Sequence, residues 1–449
     1  MFNHSLSLVL TVWMIVLALM AVARRRKGTA GVGLVLAYLL NLWMLFWAAS
    51  LMYLLPWYQG SFEEFTMLGT EQSLFAVLGF AFGSLALSPF LLDSGLLPQV
   101  RSIHRFDYRL PKAYLVTGMI SYGLLSAFFG RVLSLNSILS AGQELVVVGL
   151  SLCCWQAWRT GETRNAAFWL ALSLLPPLIT IITLGYIGYG AVATLSVLIF
   201  LSNFVRSRIK VVIVGALLAY LALSVYVTYM RDRGQIRDSV WGGQSLSDRI
   251  NRVAETAGNF EWFDPFDTQH LQRIDSRLNQ SYLVGAAVAH LNETGDFARG
   301  ETLKDAALAL IPRVFWPEKT IQAGSGNLVS RFTGFQYDSA TSVGIGQVME
   351  FYVNFGTVGV IVGFMIFGLI ITTLDVLATE RLAAGDLHGF VLFYLPGLSF
   401  LQVGGQLTEI TASAAASLFV ALLVNRFLDR LQRKQDTHDY LPAPAMSPE

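Results

Sequence analysis

Charged residues are scarce in this chain of 449 residues, where Asp, Glu, Lys and Arg together make up 14%. A soluble domain usually carries about 25% charged residues, because a hydrated surface needs them. Apolar residues make up 54%, and the 30 Phe and 10 Trp add side chains that are common in bilayers and at their interfaces. The composition argues against a soluble globular domain and predicts a membrane protein.

The sequence has only two cysteines, and it shows no metal-ligand cluster and no glycine-rich phosphate loop. The two cysteines, Cys153 and Cys154, are adjacent in an apolar run and cannot readily form a structural disulfide. The six histidines show no HxH spacing and no metal-ligand cluster, so we expect no metal and no cofactor. The formal net charge of +1 gives no reason to expect a nucleic-acid partner.

Apolar runs long enough to cross a bilayer are abundant, since a spanning helix needs about 20 mostly apolar residues. Pro176 and Pro177 interrupt the sixth run, so a kinked span, a re-entrant segment and a tight turn all stay open there. The pattern predicts an all-α, polytopic bundle of about 11 transmembrane helices. These runs lie near residues 6–23, 30–55, 72–92, 113–130, 140–158, 166–182, 185–204, 211–229, 353–376, 388–405 and 409–426.

The distribution of charge predicts the orientation. Residues 24–27 are Arg-Arg-Arg-Lys and directly follow the first run, whereas segment 56–71 contains acidic residues and no Lys or Arg. Because basic residues stay in the cytoplasm, the N-terminus is predicted to be periplasmic and the C-terminus cytoplasmic, in a bacterial inner membrane.

A polar segment separates the eighth and ninth runs and is predicted to form one large periplasmic loop. A structureless loop of this length is improbable, so we expect short helices at 281–291 and 303–312, lying along the membrane surface or capping a cavity. The predicted parts are transmembrane helices 1–8 in residues 1–229, the loop in 230–350, transmembrane helices 9–11 in 351–434 and a disordered cytoplasmic tail in 435–449.

Few ionisable residues fall inside the predicted spans, which makes an ion-coupled transporter a weaker prediction. The polar loop holds the candidate substrate-binding residues instead. Arg231 and Arg233 lie in YMRDRGQIR, where the eighth run ends, and arginine forks suit phosphate oxygens. The alternative is that they only contact lipid headgroups at a helix end.

Two further loop motifs contain cations. IPRVFWPEKT places Arg313, Trp316 and Lys319 near two prolines, which suits a sugar face beside a diphosphate. The alternative is an interfacial tryptophan with flanking charges. Arg331 lies in the polar segment SGNLVSR.

The motif MEFYVNFG enters the ninth run and contains Glu350, Tyr352 and Asn354. Glu350 and Asn354 are four residues apart and share one face of a helix. Glu350 is a candidate general base for a sugar hydroxyl, the alternative being a helix-capping or ion-paired carboxylate. His290 is the second candidate base, although a lone histidine on an apolar stretch is more often structural.

The motifs in residues 311–356 resemble those of the bacterial Wzy-type polymerases of O-antigen and exopolysaccharide, in which an IPR-x-x-WP-x-K motif is followed by E-x-Y-x-N-x-G at the next helix. One departure is in GYIGYGAVAT (residues 185–194), where many relatives carry a basic residue and this chain has none.

The resemblance implies a GT-C-like, metal-independent glycosyltransferase that joins undecaprenyl-diphosphate-linked glycans without a cofactor. It also implies contact with membrane lipids and a pathway shared with a chain-length regulator and a flippase. A lipid-linked glycan ligase, and an exporter or flippase component, are the alternatives.

Overall fold

The computed structural model describes residues 2–26, 31–95, 97, 107–128, 133–205, 207–311, 325–337 and 343–439. Helices and their connections account for all of these residues, and they contain no strand, which confirms the all-α prediction.

Eight helical segments in the described part are long and apolar enough to cross a membrane. They belong to a multi-pass membrane helical bundle. The two shorter apolar helices Gly188–Ser202 and Leu387–Ser399, together with helix Leu110–Phe128, coincide with the other predicted runs. The total of eleven spans stays a prediction. The eight long segments are Asn3–Arg26, Leu34–Leu54, Glu63–Asp93, Asn136–Arg159, Thr163–Leu184, Arg208–Trp241, Gln347–Ala383 and Leu407–Leu431.

Among the described residues, twelve α-helices begin before the polar loop. The second and third candidate spans each contain a π-helical turn, Trp43–Ala48 and Gly83–Leu87, and the second ends in the 3-10 turn Met52–Leu54. The helices are α1 Phe2–Arg26, α2 Leu34–Leu42, α3 Ala49–Leu51, α4 Glu63–Phe82, α5 Ser88–Asp93, α6 Leu110–Phe128, α7 Leu133–Gln143, α8 Leu145–Arg159, α9 Thr163–Ser173, α10 Pro176–Leu184, α11 Gly188–Ser202 and α12 Arg208–Trp241.

The described part of the loop contains five helices, of which Ser281–Thr294 and Glu301–Ala309 overlap the two predicted near 281–291 and 303–312, and three long or apolar helices follow it. The loop helices are α13 Leu246–Gly258, α14 Thr268–Leu278, α15 Ser281–Thr294, α16 Glu301–Ala309 and α17 Ser325–Thr333. The last helices are α18 Gln347–Ala383, α19 Leu387–Ser399 and α20 Leu407–Asp439.

The proline pair in the sixth run marks a break between two helices. Pro176 and Pro177 occupy the first turn of α10, where a missing backbone N–H costs nothing. Gly185 ends α10 with φ of 74°, a left-handed conformation that favours glycine. The prolines therefore lie at the break between α9 and α10, and a tight turn at Gly185 separates α10 from α11.

The two ends of the bundle differ in what they contain. At the loop end, Tyr53 and Tyr58 donate hydrogen bonds of 2.9 and 2.7 Å to the buried carboxylate of Asp275 in α14. At the opposite end, Arg24 forms an ion pair of 3.1 Å with Asp375 of α18. The basic end of α1 and the acidic segment after α3 thus lie on opposite sides, in agreement with the charge pattern. Which side faces the cytoplasm stays a prediction.

Helix α15 packs inside the bundle, which does not fit the first of its two predicted alternatives, a position along the membrane surface. Its residues Leu283 and Val284 are buried in the core. A Cβ atom on Gly285 would lie 1.8 Å from the carbonyl oxygen of Phe65 in α4. The backbones of α15 and α4 approach so closely that only glycine fits, which fixes the middle of the loop to the bundle.

We expect Gly285→Ala to lower the free energy of unfolding by about 1–3 kcal/mol, the usual cost of overpacking a well-packed core. Thermal unfolding of the purified protein in detergent measures this change. Gly215→Ala in α12 is the matched control, because a Cβ atom there meets nothing within 4 Å. Equal unfolding temperatures for the two variants would contradict the close packing of α15.

Candidate functional site

Arg231, at the loop end of α12, is held by carboxylates. Its guanidinium forms ion pairs of 2.8 Å with Asp232 and with Glu261, and donates a 2.7 Å hydrogen bond to the carbonyl of Asn259. Glu261 also pairs with Arg273 of α14 at 2.9 Å. The hydrogen bond from Arg231 keeps the pKa of Glu261 below its ordinary value. Arg231 fastens the loop to α12, and its charge is largely neutralised.

Three other arginines form what is called here the arginine cluster: Arg233 and Arg237 on α12, and Arg277 on α14. Within the described ranges, no side-chain hydrogen bond or ion pair engages any of them. Electrostatic repulsion links Arg237 to both other members. Burial, and then the positive charge of Arg233, lower the pKa of Arg277. The described residues thus leave these three positive charges at the loop end of the bundle without a carboxylate partner.

Aromatic rings hold the guanidinium of Arg237 in place. It lies 4.6 Å from the ring centre of Tyr186 and 5.0 Å from that of Trp241, both cation–π distances. Its Nε atom is buried without a hydrogen-bond partner. Tyr229 donates a 2.8 Å hydrogen bond to the carbonyl of Gly185, which ties α12 to the turn after α10.

The contact between Arg237 and Tyr186 bears on the departure in GYIGYGAVAT. This stretch contains no basic residue, but its first residues pack against Arg237, where a Cβ on Gly185 would lie 3.3 Å from Cγ of the arginine. A cation from α12 thus occupies the neighbourhood of the turn. Sequence reasoning named Arg233 and did not select Arg237, although the two are four residues apart and share a helix face. Nothing in the sequence pattern pointed to Arg277, which approaches only through the fold.

The motif MEFYVNFG ends at a break in α18. Phe355 has φ of −142°, and Gly356 has φ of 61° with ψ of −153°, a region open essentially to glycine alone. The carbonyl of Val353, freed by the break, accepts a 2.8 Å hydrogen bond from the backbone N–H of Ala298. The side chain of Asn354 accepts another, of 2.9 Å, from the backbone N–H of Gly300. These two hydrogen bonds therefore attach the connection between α15 and α16 to α18.

Glu350 and Asn354 share a helix face, as their spacing predicts, and both are buried. Asn354 donates to the hydroxyl of Thr302 at 2.7 Å and to the carbonyl of Glu350 at 2.7 Å. Glu350 is 0% exposed, and its Oε2 accepts a 2.6 Å hydrogen bond from the backbone N–H of Leu407. The carboxylate thus caps the first turn of α20, the structural alternative for this residue.

The other described candidates lie around the ends of α15 and α17. His290 is half-buried beside Gly334, and its ring makes no hydrogen bond within the described part of the chain. Arg331 forms an ion pair of 2.9 Å with Glu301. Tyr352 is buried, with its ring near that of Phe297. Their roles in catalysis and substrate binding stay predictions.

Three predicted residues, Arg313, Trp316 and Lys319, lie outside the described residues. The part of the chain that the structure describes holds no group of three or more His, Cys, Asp or Glu residues that could hold a metal ion.

With a helical membrane bundle and an arginine-rich loop end established, the comparison with known proteins gives the family. The chain belongs to DUF8712, a domain of unknown function, whose family model matches residues 90–432. The match includes the arginine cluster and the start of α18. No curated protein and no solved structure matches the chain.

We expect Glu350→Ala to destabilise the protein by about 1–3 kcal/mol, because it leaves the backbone N–H of Leu407 buried without an acceptor. Glu350→Gln keeps an acceptor oxygen at the same place and should retain most of the stability. Thermal unfolding of the two purified variants tests this, and equal loss in both would show that the capping hydrogen bond is not what the carboxylate contributes.

Proposed function

We propose that this chain is a GT-C-like, metal-independent glycosyltransferase that polymerises undecaprenyl-diphosphate-linked repeat units at the periplasmic face of the bacterial inner membrane. Its eleven predicted spans, periplasmic N-terminus and cytoplasmic C-terminus belong to the same proposal. The resemblance to Wzy-type polymerases suggests the reaction. The arginine cluster is the observation that supports it most.

The chemistry of the donor fits an uncompensated positive site. When the glycan leaves its carrier, the bond between the anomeric carbon and the diphosphate breaks, and negative charge develops on the diphosphate. Guanidinium groups that are already in place stabilise that charge without a metal ion. An anion also relieves the mutual repulsion of Arg233, Arg237 and Arg277, so the cluster gains more from a diphosphate than an ion-paired arginine such as Arg231 does.

The acceptor hydroxyl needs a base for its proton as the new glycosidic bond forms. Glu350 and His290 are the two candidates, and their surroundings differ. Glu350 is fully buried and accepts a hydrogen bond from the backbone, whereas the ring of His290 is half-buried and engages no hydrogen bond within the described residues. In this scheme His290 is the better placed of the two to meet an acceptor sugar.

We expect Arg237→Gln and Arg277→Gln each to reduce polymer formation about 10- to 150-fold, the loss of one charge-assisted hydrogen bond of about 1.5–3 kcal/mol. The measurement is the ladder of products formed by the purified protein from a lipid-diphosphate oligosaccharide. Inorganic pyrophosphate should inhibit the unchanged protein and should inhibit both variants less.

Arg252→Gln is the matched control, because this arginine lies on the same side of the bundle in an exposed pair with Glu255 at 2.8 Å. Wild-type ladders and unchanged pyrophosphate inhibition in both cluster variants would overturn the proposed site. Transfer to lipid A core with no ladder would identify a ligase instead.

We expect His290→Gln to slow transfer strongly and Glu350→Gln to leave the rate within a few-fold of the unchanged protein. The reason is access: a base must reach the acceptor hydroxyl, and Glu350 lies in the interior. Rates from the same ladder assay, with membrane levels of each variant as the control, separate the two. A slow Glu350→Gln variant of normal thermal stability would assign the base to Glu350.

A further inference from the structure

Residues 259–267 join α13 to α14. This segment runs back along α12, away from the loop end of that helix. The backbone N–H of Glu261 donates a 3.0 Å hydrogen bond to the hydroxyl of Thr228. Two residues later, the backbone N–H of Phe263 donates one of 3.0 Å to the hydroxyl of Ser224. Because Ser224 lies one turn nearer to Arg208 than Thr228 does, the segment descends along α12 away from its loop end.

The descent reaches the apolar part of α12. Ser224 precedes Arg231 by seven residues, about 10 Å along a helix. The ring of Trp262 stacks on that of Tyr220, with 5.9 Å between the ring centres and 7° between the planes. Tyr220 and Ser224 both belong to the apolar run 211–229, so Trp262 lies beside a part of α12 that is predicted to be in the bilayer.

The backbone N–H groups of Glu261, Phe263, Asp264 and Phe266 on this segment are paired with side chains, as an apolar environment favours. Thr228 both accepts from and donates to the backbone of Glu261. Past the lowest point, the carboxylate of Asp264 accepts a 2.9 Å hydrogen bond from the backbone N–H of Phe266. Asp267 then caps α14 by accepting from Gln269 at 2.8 Å. Serine, threonine and aspartate side chains thus replace the water that an exposed loop would use.

The exposed side of the segment carries three aromatic rings, with Asp264 as the exposed carboxylate among them. Phe260, Trp262 and Phe266 are 36%, 60% and 69% exposed. Trp57, from the connection between α3 and α4, donates a 2.9 Å hydrogen bond to the carbonyl of Pro265, and its ring centre lies 4.9 Å from that of Phe266. Exposed aromatic side chains in such a row suit the boundary between headgroups and acyl chains, where Trp is enriched.

We propose that residues 259–267 form a membrane-dipping segment that inserts Phe260, Trp262 and Phe266 among the acyl chains of the leaflet on the loop side. Lipid is its partner because the segment lies against α12 at Tyr220 and Ser224, within a helix that is itself predicted to cross the bilayer. The proposal does not depend on the glycosyltransferase reaction.

The segment has a consequence for the arginine cluster. Glu261 lies on its descending part and is ion-paired with Arg231 of α12 and Arg273 of α14. Insertion of the neighbouring rings therefore holds α14, and with it Arg277, at the level of the lipid headgroups. The phosphate groups of membrane lipids lie at that level.

Spin labels measure the depth directly. We would place single cysteines as Trp262→Cys and Phe266→Cys in the full chain carrying Cys153→Ser and Cys154→Ser, label them and reconstitute them in vesicles of phosphatidylethanolamine and phosphatidylglycerol. Gln244→Cys, in the exposed turn after α12, is the matched control. We expect oxygen to relax the labels at 262 and 266 more than a water-soluble nickel chelate does, and the reverse at 244.

Equal access of the nickel chelate to 262, 266 and 244 would overturn the proposal. A second measurement does not depend on the cysteine variants. Lipids with bromine on the acyl chains near the headgroup should quench the tryptophan fluorescence of the unchanged protein more than that of the Trp262→Phe variant. The difference isolates Trp262, and identical quenching of the two proteins would also count against insertion.

Discussion

The need to pair backbone N–H and C=O groups is the constraint on which this structure most depends, because a bilayer offers these groups no water. At two departures from regular helix, the chain itself supplies the hydrogen-bonding partners. At the break in α18, Asn354 and the carbonyl of Val353 pair with the backbone of the α15–α16 connection. Beside α12, Ser224 and Thr228 pair with the descending segment. Polar side chains on the spans therefore bind the loop to the bundle.

The same constraint explains buried carboxylates that would otherwise suggest catalysis. Asp375 accepts from the backbone N–H groups of Gly33 and Leu34, at 2.9 and 3.0 Å, and pairs with Arg24. Glu350 does for the first turn of α20 what Asp375 does for α2. In both cases a carboxyl oxygen accepts from backbone N–H groups that have no partner within the helix. Helix capping thus accounts for the burial of Glu350 and Asp375 without proton transfer.

Sequence reasoning could predict the features that depend on periodicity and composition, and missed those that depend on approach between distant segments. Apolar runs located the helices, and the spacing of Glu350 and Asn354 placed both on one face. Arg277 could not be found, because it joins Arg233 only when α14 packs beside α12. The burial of α15 was missed for a similar reason: its glycine contact with α4 has no signature in either segment alone.

Arginines that are close in sequence at the loop end differ in whether a carboxylate offsets their charge. Arg231 and Arg233 are two residues apart in one motif, yet only Arg231 faces Asp232 and Glu261. Two residues on a helix point about 200° apart, so a pattern such as RDR necessarily sends its two cations to different neighbours. One arginine closes the loop onto α12. The other is coupled by electrostatic repulsion to Arg237 and Arg277 and has no carboxylate partner within the described residues.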